Sequence, residues 1–302
     1  MSSVLLERLE ALWVGHPVTN GAVTIFPLTG GRQGQIEYVL MDEAVKAGHF
    51  AVRELPTPTV PELLAVNSSP TPVLLLDGEV LVGGWQHRTL NSTVFAPRGE
   101  TVLPVSCVEH GRWEYVAKQF SASESSYLGL RAARTAQVHT SLKSSGKHVS
   151  NQAAVWQSIQ QQQLATGVKS ATGAMSDIYV SRRDAIAAFE RALPYPDGAV
   201  GVIVAIGGRI VSLELVDSPR TMRKLWGKLV RASAVDALSS PVGSPVDIKR
   251  AVRMLHRARL AQFEWYRTPG IGEDVRVVGN GVMGAALLHD GIVVHAALFR
   301  QH

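Results

Sequence analysis

Val73-Leu74-Leu75-Leu76-Asp77-Gly78-Glu79-Val80-Leu81-Val82 decides the fold class. Two apolar runs flank Asp-Gly, a pair that supplies the positive φ angles of a two-residue hairpin turn, so the stretch reads as two antiparallel strands. The same logic pairs residues 202–206 with 209–213 across Gly207-Gly208, and 284–288 with 292–299 across Asp290-Gly291. Helical spacing is equally clear elsewhere. Residues 4–13 place Leu5, Leu6, Leu9, Leu12 and Trp13 on one face, with Ser2 or Ser3 available as cap. Residues 151–164 carry Val155, Trp156 and Ile159; residues 181–193 carry Ile186 and Phe189; residues 220–238 carry Leu225, Trp226, Leu229 and Val230. Residues 22–27, 36–40 and 50–54 read as strands, with a short helix capped by Asp42 and ended by Gly48 between the last two. The expected fold is mixed α/β (α+β), with largely antiparallel sheets built from hairpins and packed with helices.

A chain of 302 residues that is 46% hydrophobic can bury a large core as one big domain or two ordinary ones. Between residues 121 and 150 the composition turns to Ser, Lys, Arg and His, which reads as a mobile connector between a strand-rich half (1–120) and an α/β half (151–302). The apolar runs fall far short of the roughly 20 residues of a spanning helix, and the first ten residues lack a leader pattern, so the expected location is cytoplasmic, without membrane. One cysteine, Cys107, forms no internal disulfide and no cysteine metal cluster. The histidines lack a His-Glu-x-x-His pattern, so no metal site is assigned, and no cofactor follows from the sequence.

The net charge of +5 is uneven. Residues 217–260 hold ten Lys or Arg against three Asp, an excess of seven positive charges, and the remainder sums to −2. Such an excess either solvates helix faces or attracts phosphates, as nucleic acid or nucleotide.

Polar residues interrupt the strands after the first turn. The chain reads Gly83-Gly84-Trp85-Gln86-His87-Arg88-Thr89-Leu90-Asn91, then Val102-Leu103-Pro104-Val105-Ser106-Cys107-Val108-Glu109-His110-Gly111-Arg112-Trp113. Alternation puts Gln86 and Arg88 on one face, and facing strands could bring Arg88 to Glu109. One reading is a buried structural ion pair. The other is a site in which Gln86, Arg88, Asn91, Glu109 and Arg112 converge on a polar ligand and Gly83-Gly84 lets backbone approach it. Cys107 reads as a packing residue or as a nucleophile served by His87, His110 or His295. Gly270-Ile271-Gly272-Glu273-Asp274-Val275-Arg276 reads as a turn or a phosphate loop, and His295 as a core or a catalytic histidine.

Across residues 76–91 and 104–113 the sequence resembles an uncharacterised prokaryotic family named for association with ADP-ribosylglycohydrolases and the rhodanese-phosphatase superfamily. The likeness extends to Gly201, to Gly272-Glu273-Asp274 with Arg276, and to residues 295–299; it departs at His87, where a smaller polar residue is expected. It implies an enzyme or accessory protein acting on a phosphorylated nucleoside such as an ADP-ribose or NAD derivative, hydrolase-like or transferase-like. On that reading Arg88 and Arg112 hold phosphate and Glu109 serves as base or ribose ligand, while Gly83, Gly84, Gln86, Asn91, Arg276 and His295 contact substrate. The alternative is a non-catalytic nucleic-acid or nucleotide-binding module using residues 217–260. Exposed hairpin edges leave a homo-oligomer open.

Overall fold

Three two-residue turns carry positive φ at both positions: Gly207 (57°) with Gly208 (79°), Asn280 (52°) with Gly281 (69°), and Asp290 (49°) with Gly291 (71°). This geometry matches the twist of paired strands, and each turn joins two hydrogen-bonded strands. The protein, described here by a computed structural model, is defined over residues 4–31, 33–112 and 114–301. Ser2 and Ser3, expected to cap the first helix, lie outside them.

The elements of the first part of the chain are α1 (Val4–Glu10), β1 (Leu12–Val14), β2 (Val18–Asn20), β3 (Val23–Gly30), β4 (Val39–Leu40), α2 (Met41–Lys46), β5 (Phe50–Arg53), β6 (Glu62–Asn67), β7 (Val73–Leu75) and β8 (Glu79–Val82). Next come β9 (Arg88–Leu90), β10 (Val94–Ala96), β11 (Gly99–Cys107), β12 (Ser121–Ser125), α3 (Leu128–Ser145), α4 (Gln152–Ala165), α5 (Ser176–Ser181) and α6 (Arg183–Ala192). The last are β13 (Gly201–Ile206), β14 (Arg209–Val216), α7 (Pro219–Leu238), α8 (Ile248–Arg259), β15 (Gln262–Arg267), β16 (Glu273–Gly279), β17 (Val282–His289) and β18 (Ile292–Arg300). The fold is mixed α/β with mostly antiparallel sheets, including a curled half-barrel.

The largest sheet has the order β1-β3-β13-β14-β18-β17-β16-β15, with β2 pairing β3. Its strands come from both ends of the chain, so the expected halves 1–120 and 151–302 share one sheet. A six-stranded sheet runs β12-β8-β9-β11-β6-β5, and a small third sheet runs β10-β7-β4, where β4 and β7 are parallel.

The expected hairpin over residues 73–82 does not form a ladder. The turn exists, with the Glu79 amide donating to the Leu76 carbonyl at 3.1 Å, but only Gly78 (85°) has positive φ there. A turn whose single positive angle falls on its second central residue, as in type II, splays its flanking strands instead of twisting them together. Thus β7 leaves for the three-stranded sheet while β8 pairs with β9 and β12. The turn is a branch point between sheets.

Other expectations change in detail. The first helix stops at Glu10, and Trp13 lies exposed on edge strand β1. Only the last two residues of 36–40 form a strand, and the cap of α2 is Leu40, whose amide donates to the Glu43 carboxylate, not Asp42. The helix expected at 181–193 is α6, and a further short helix, α5, precedes it. Residues 121–150 are not a mobile connector: they form β12 and the 18-residue helix α3, whose Arg131 and Arg134 are almost wholly buried. Arg131, Arg134, Ser125 and Ser126 are buried inside the molecule, while Lys143, Ser144, Ser145 and Lys147 face solvent.

The nine-stranded sheet is covered on both faces, as near-continuous apolar strands require. On β13, Ile203 and Ala205 face a core built with Leu5 and Leu9 of α1 and Met254 and Leu255 of α8. Val202 and Val204 face the opposite core, with Met222, Leu225, Trp226 and Leu229 of α7. Helix α3 lies on the α7 side, between that face and the Asp77-Gly78 turn. The loop before β16 packs against β10: the Ile271 amide donates to the Phe95 carbonyl at 2.9 Å, and a Cβ on Gly270 would stand 2.1 Å from that oxygen.

Because Gly78 combines φ of +85° with side-chain atoms of Arg131 at 2.7 Å from an ideal Cβ, Gly78→Ala should cost about 1–3 kcal/mol in urea unfolding. Gly48→Ala, at φ +75° with nothing within 4 Å, should cost about 1–2 kcal/mol from the backbone angle alone and less than Gly78→Ala. Equal effects would show that the approach of Arg131 contributes nothing.

Candidate functional site

Glu214 is the one charged residue in the apolar run Leu213-Glu214-Leu215-Val216. Strand alternation turns it away from Leu213 and Leu215 toward α3. There Arg131 forms a two-pronged pair with it, Nη1 to Oε2 at 3.0 Å and Nη2 to Oε1 at 2.9 Å. Arg131 Nε also reaches Asp77 at 3.3 Å, and Arg134 Nη2 reaches the other Asp77 oxygen at 2.9 Å. His295 Nε2 lies 2.8 Å from Glu214 Oε1, and its Nδ1 lies 2.8 Å from Thr93 Oγ1, which accepts from the Asp77 amide. The loop of bonds closes on itself. Every charged member is less than a tenth exposed.

The network extends through Arg134, which donates to the Leu90 carbonyl at 2.6 Å. Asn91 accepts from Ser106 at 2.6 Å and donates to the His148 carbonyl at 3.1 Å. His148 Nδ1 lies 2.8 Å from Ser92 Oγ, which accepts from Arg276 at 2.8 Å, and Arg276 clamps Asp274 through two bonds of 2.7 Å. Sequence candidates Asn91, Arg276 and His295 therefore belong to one buried polar system. Burial alone would push the Glu214 carboxyl up, but Arg131 and His295 hold it down at about 2. The adjoining void, lined by Asp77, Glu79, Arg131, Glu214 and Lys228, measures about 10 Å³, room for about one water.

The remaining sequence candidates form a second cluster. Glu109 accepts from Arg112 Nε at 2.9 Å and Nη2 at 2.7 Å, from the His87 amide at 3.1 Å, and from Thr172 Oγ1 at 3.0 Å. Arg112 also donates to the carbonyls of Gly84 at 3.2 Å and Glu114 at 2.7 Å. Gln86 donates to the Glu109 carbonyl at 2.9 Å, and the Cys107 thiol lies 3.0 Å from the same oxygen. The Glu109 pKa is lowered despite burial, chiefly by Arg112, and burial pushes the Cys107 thiol up. A low-pKa carboxylate with both oxygens occupied is a poor proton acceptor, and a buried thiol of raised pKa is a poor nucleophile.

Arg88 does not meet Glu109 as expected. Its register partner is Cys107, its Nη1 donates to the Gln86 carbonyl at 2.9 Å, and its Nε has no partner among the described residues. Gly83 and Gly84 adopt φ of 146° and 53° and leave room for Phe120 rather than for an open space: a Cβ on Gly84 would lie 2.3 Å from that ring. Trp113 lies outside the described residues. Among the described residues no three His, Cys, Asp or Glu groups gather to hold a metal, and no helix is long and apolar enough to cross a membrane.

The basic region separates into two kinds. On α7, Arg223 pairs with Asp197, Lys224 with Glu43, Lys228 with Asp42 and Glu79, and Arg231 with Glu124 and Glu190. On α8, Arg250, Arg253 and Arg257 recur at helical spacing on a face beside that of the buried Ala251, Met254, Leu255 and Ala258. With Arg209 and Arg300 from the ends of β14 and β18 they line a cleft of about 340 Å³. None of the five appears in an ion pair among the described residues. Instead Arg250 donates to the Gly208 carbonyl at 2.9 Å and Arg257 to the Asn280 carbonyl at 2.8 Å, while Arg300 donates to the Gly281 carbonyl. Gly281 makes this possible, since a Cβ there would meet guanidinium nitrogens of both Arg300 and Arg257. Partial burial and the neighbouring Arg257 charge lower the Arg300 pKa. Guanidiniums gathered in this way can donate paired hydrogen bonds to an anion.

With this geometry in place, comparison with known sequences settles the kinship: residues 11–299 match the ARG and Rhodanese-Phosphatase-superfamily-associated Protein domain. The chain belongs to that family. No curated protein and no solved structure matches it.

Sequence reading missed Arg131, Arg134 and Glu214, although a charge inside an apolar strand and two arginines three apart beside Leu128 and Leu130 were available signals. It also located the basic excess without separating the α7 charges that pair with carboxylates from the α8 arginines that bond to backbone carbonyls. For Glu214, an ordinary carboxyl value in the unfolded chain and about 2 in the folded one mean stability that is present above the unfolded value and lost as pH falls toward 2, in total about 3 kcal/mol. Acid titration of unfolding free energy should show that slope. Glu214→Gln should remove it and cost about 3–5 kcal/mol at neutral pH, because Arg131 keeps its burial and loses its main partner.

Proposed function

We propose that this protein binds a phosphorylated small molecule, a nucleotide or an ADP-ribose or NAD derivative, in the cleft of Arg209, Arg250, Arg253, Arg257 and Arg300. The observation behind this reading is the convergence of five guanidiniums without a carboxylate partner among the described residues. Guanidiniums bind phosphate oxygens through two parallel N–H bonds, and three of these are already aimed by backbone carbonyls. At about 340 Å³ the cleft falls within the lower range of ligand sites and suits a compact phosphate group. We read the ARG of the family description as ADP-ribosylglycohydrolase, which favours an ADP-ribose-related ligand.

Three of the five arginines come from residues 217–260, so the binding reading rests on the basic region rather than on Glu109. Arg88, Glu109 and Arg112 belong to the six-stranded sheet and its following loop, whereas the arginine cleft borders the nine-stranded sheet. Hydrolase-like or transferase-like turnover would need a proton acceptor beside the bound phosphate, and Glu109 is committed elsewhere. A nucleic-acid ligand would call for a stripe of charge along a surface; the five arginines are gathered in one cleft instead.

Calorimetric titration with pyrophosphate and ADP-ribose provides the test. Binding should weaken by about tenfold for each arginine removed, as in Arg257→Gln and Arg300→Gln, since a hydrogen bond to a charged group contributes about 1.5–3 kcal/mol. Affinity should fall as salt rises, and Glu109→Gln should change it less than about twofold. Absence of binding at low salt would sink the proposal. A loss confined to Glu109→Gln would move the site to the second cluster, and tighter binding of an oligonucleotide than of pyrophosphate would replace the ligand class.

A further inference from the structure

The arginine cleft holds its cations at two separate points. The turns Gly207-Gly208 and Asn280-Gly281 lead into β14 and β17, which lie on either side of β18. Ser212 and Met283 both pair with Phe299, so the two turns project past the same end of the strands, two strand spacings or about 10 Å apart. Arg250 donates to the Gly208 carbonyl, next to Arg209, whereas Arg257 and Arg300 donate to the Asn280 and Gly281 carbonyls. Helix α8 gives the same interval independently, since the seven residues from Arg250 to Arg257 rise about 10 Å along its axis. The helix therefore runs across the strand ends, with one anchored arginine at each turn.

Each anchoring bond uses one N–H of a guanidinium that has five. The donors beyond those bonds fall into two groups, Arg209 with Arg250 and Arg257 with Arg300. Arg253 stands between them on α8, three residues from one anchor and four from the other. Met254, which also lines the cleft, lies about one helical turn from each anchor and makes the intervening wall apolar.

A diphosphate joins its two phosphorus atoms through one oxygen, so it reaches only one of these groups at a time. A ligand that engages both needs phosphates on different carbons of an intervening ring. On the reading of this cleft as the phosphate site, we propose that its ligand is a nucleotide phosphorylated at two separate positions of the ribose, such as a nucleoside 3′,5′-bisphosphate. One phosphate meets Arg209 and Arg250, the other meets Arg257 and Arg300, and the uncharged ring lies over Met254.

Calorimetric titration of the full chain with adenosine 3′,5′-bisphosphate and with ADP, at one salt concentration, tests the spacing because each ligand carries two phosphates. The bisphosphate should bind about tenfold more tightly, the gain from hydrogen bonds to a second charged group. That ratio should fall toward one in Arg250→Gln and in Arg209→Gln. It should persist in Lys249→Gln, which removes the same charge from α8 outside the cleft. Thermal midpoints show whether each variant is folded, and should Arg250→Gln fail to fold, the exposed Arg209 decides the matter. Equal affinity for the two ligands in the wild type, a ratio that survives Arg209→Gln, or an equal fall in Lys249→Gln overturns this inference while the cleft remains a phosphate site. Absence of binding by both ligands overturns the reading beneath it as well.

Discussion

Arg131, shared between Asp77 and Glu214 inside the molecule, is the constraint on which the rest of the structure depends. Removing a guanidinium and two carboxylates from water costs several kcal/mol per ion, and only near-complete hydrogen bonding offsets it. Each partner comes from a different element. Asp77 sits at the branch between two sheets, Arg131 and Arg134 on α3, and Glu214 and His295 on adjacent strands of the largest sheet. A shift of any one leaves a buried charge short of a partner, so the network fixes how helix and sheets meet.

That closure governs where recognition can occur. The polar residues most suggestive of chemistry, namely Gln86, Asn91, Glu109, Arg112, Arg276 and His295, are engaged with one another and with backbone. The arginines around α8 are different. They line an open cleft and carry hydrogen-bonding capacity beyond what the fold uses.

Much of the architecture was legible because local chemistry and global fold agree. Gly207-Gly208 and Asp290-Gly291 force the turns that their flanking apolar strands require, and Asn280-Gly281, overlooked in the sequence, does the same. The Asp77-Gly78 pair misled because its dipeptide specifies a turn and not which strands pair, a choice made by tertiary packing. Helix α3 was hidden because a helix that buries arginines against carboxylates looks like a polar linker. The proximity of Gln86, Glu109 and Arg112 was legible in the sequence, but not that these groups satisfy one another. The α7 cations find acids far away in sequence, so their pairing, and hence the distinctness of α8, required coordinates.

A crystal structure soaked with pyrophosphate tests the central claim most directly, that the interior is closed and the α8 arginines are the anion site. The account predicts density between Arg257 and Arg300, with the Glu109–Arg112 and Arg131–Glu214 pairs undisturbed. Density beside Arg88 and Glu109, with the arginine cleft empty, would contradict it.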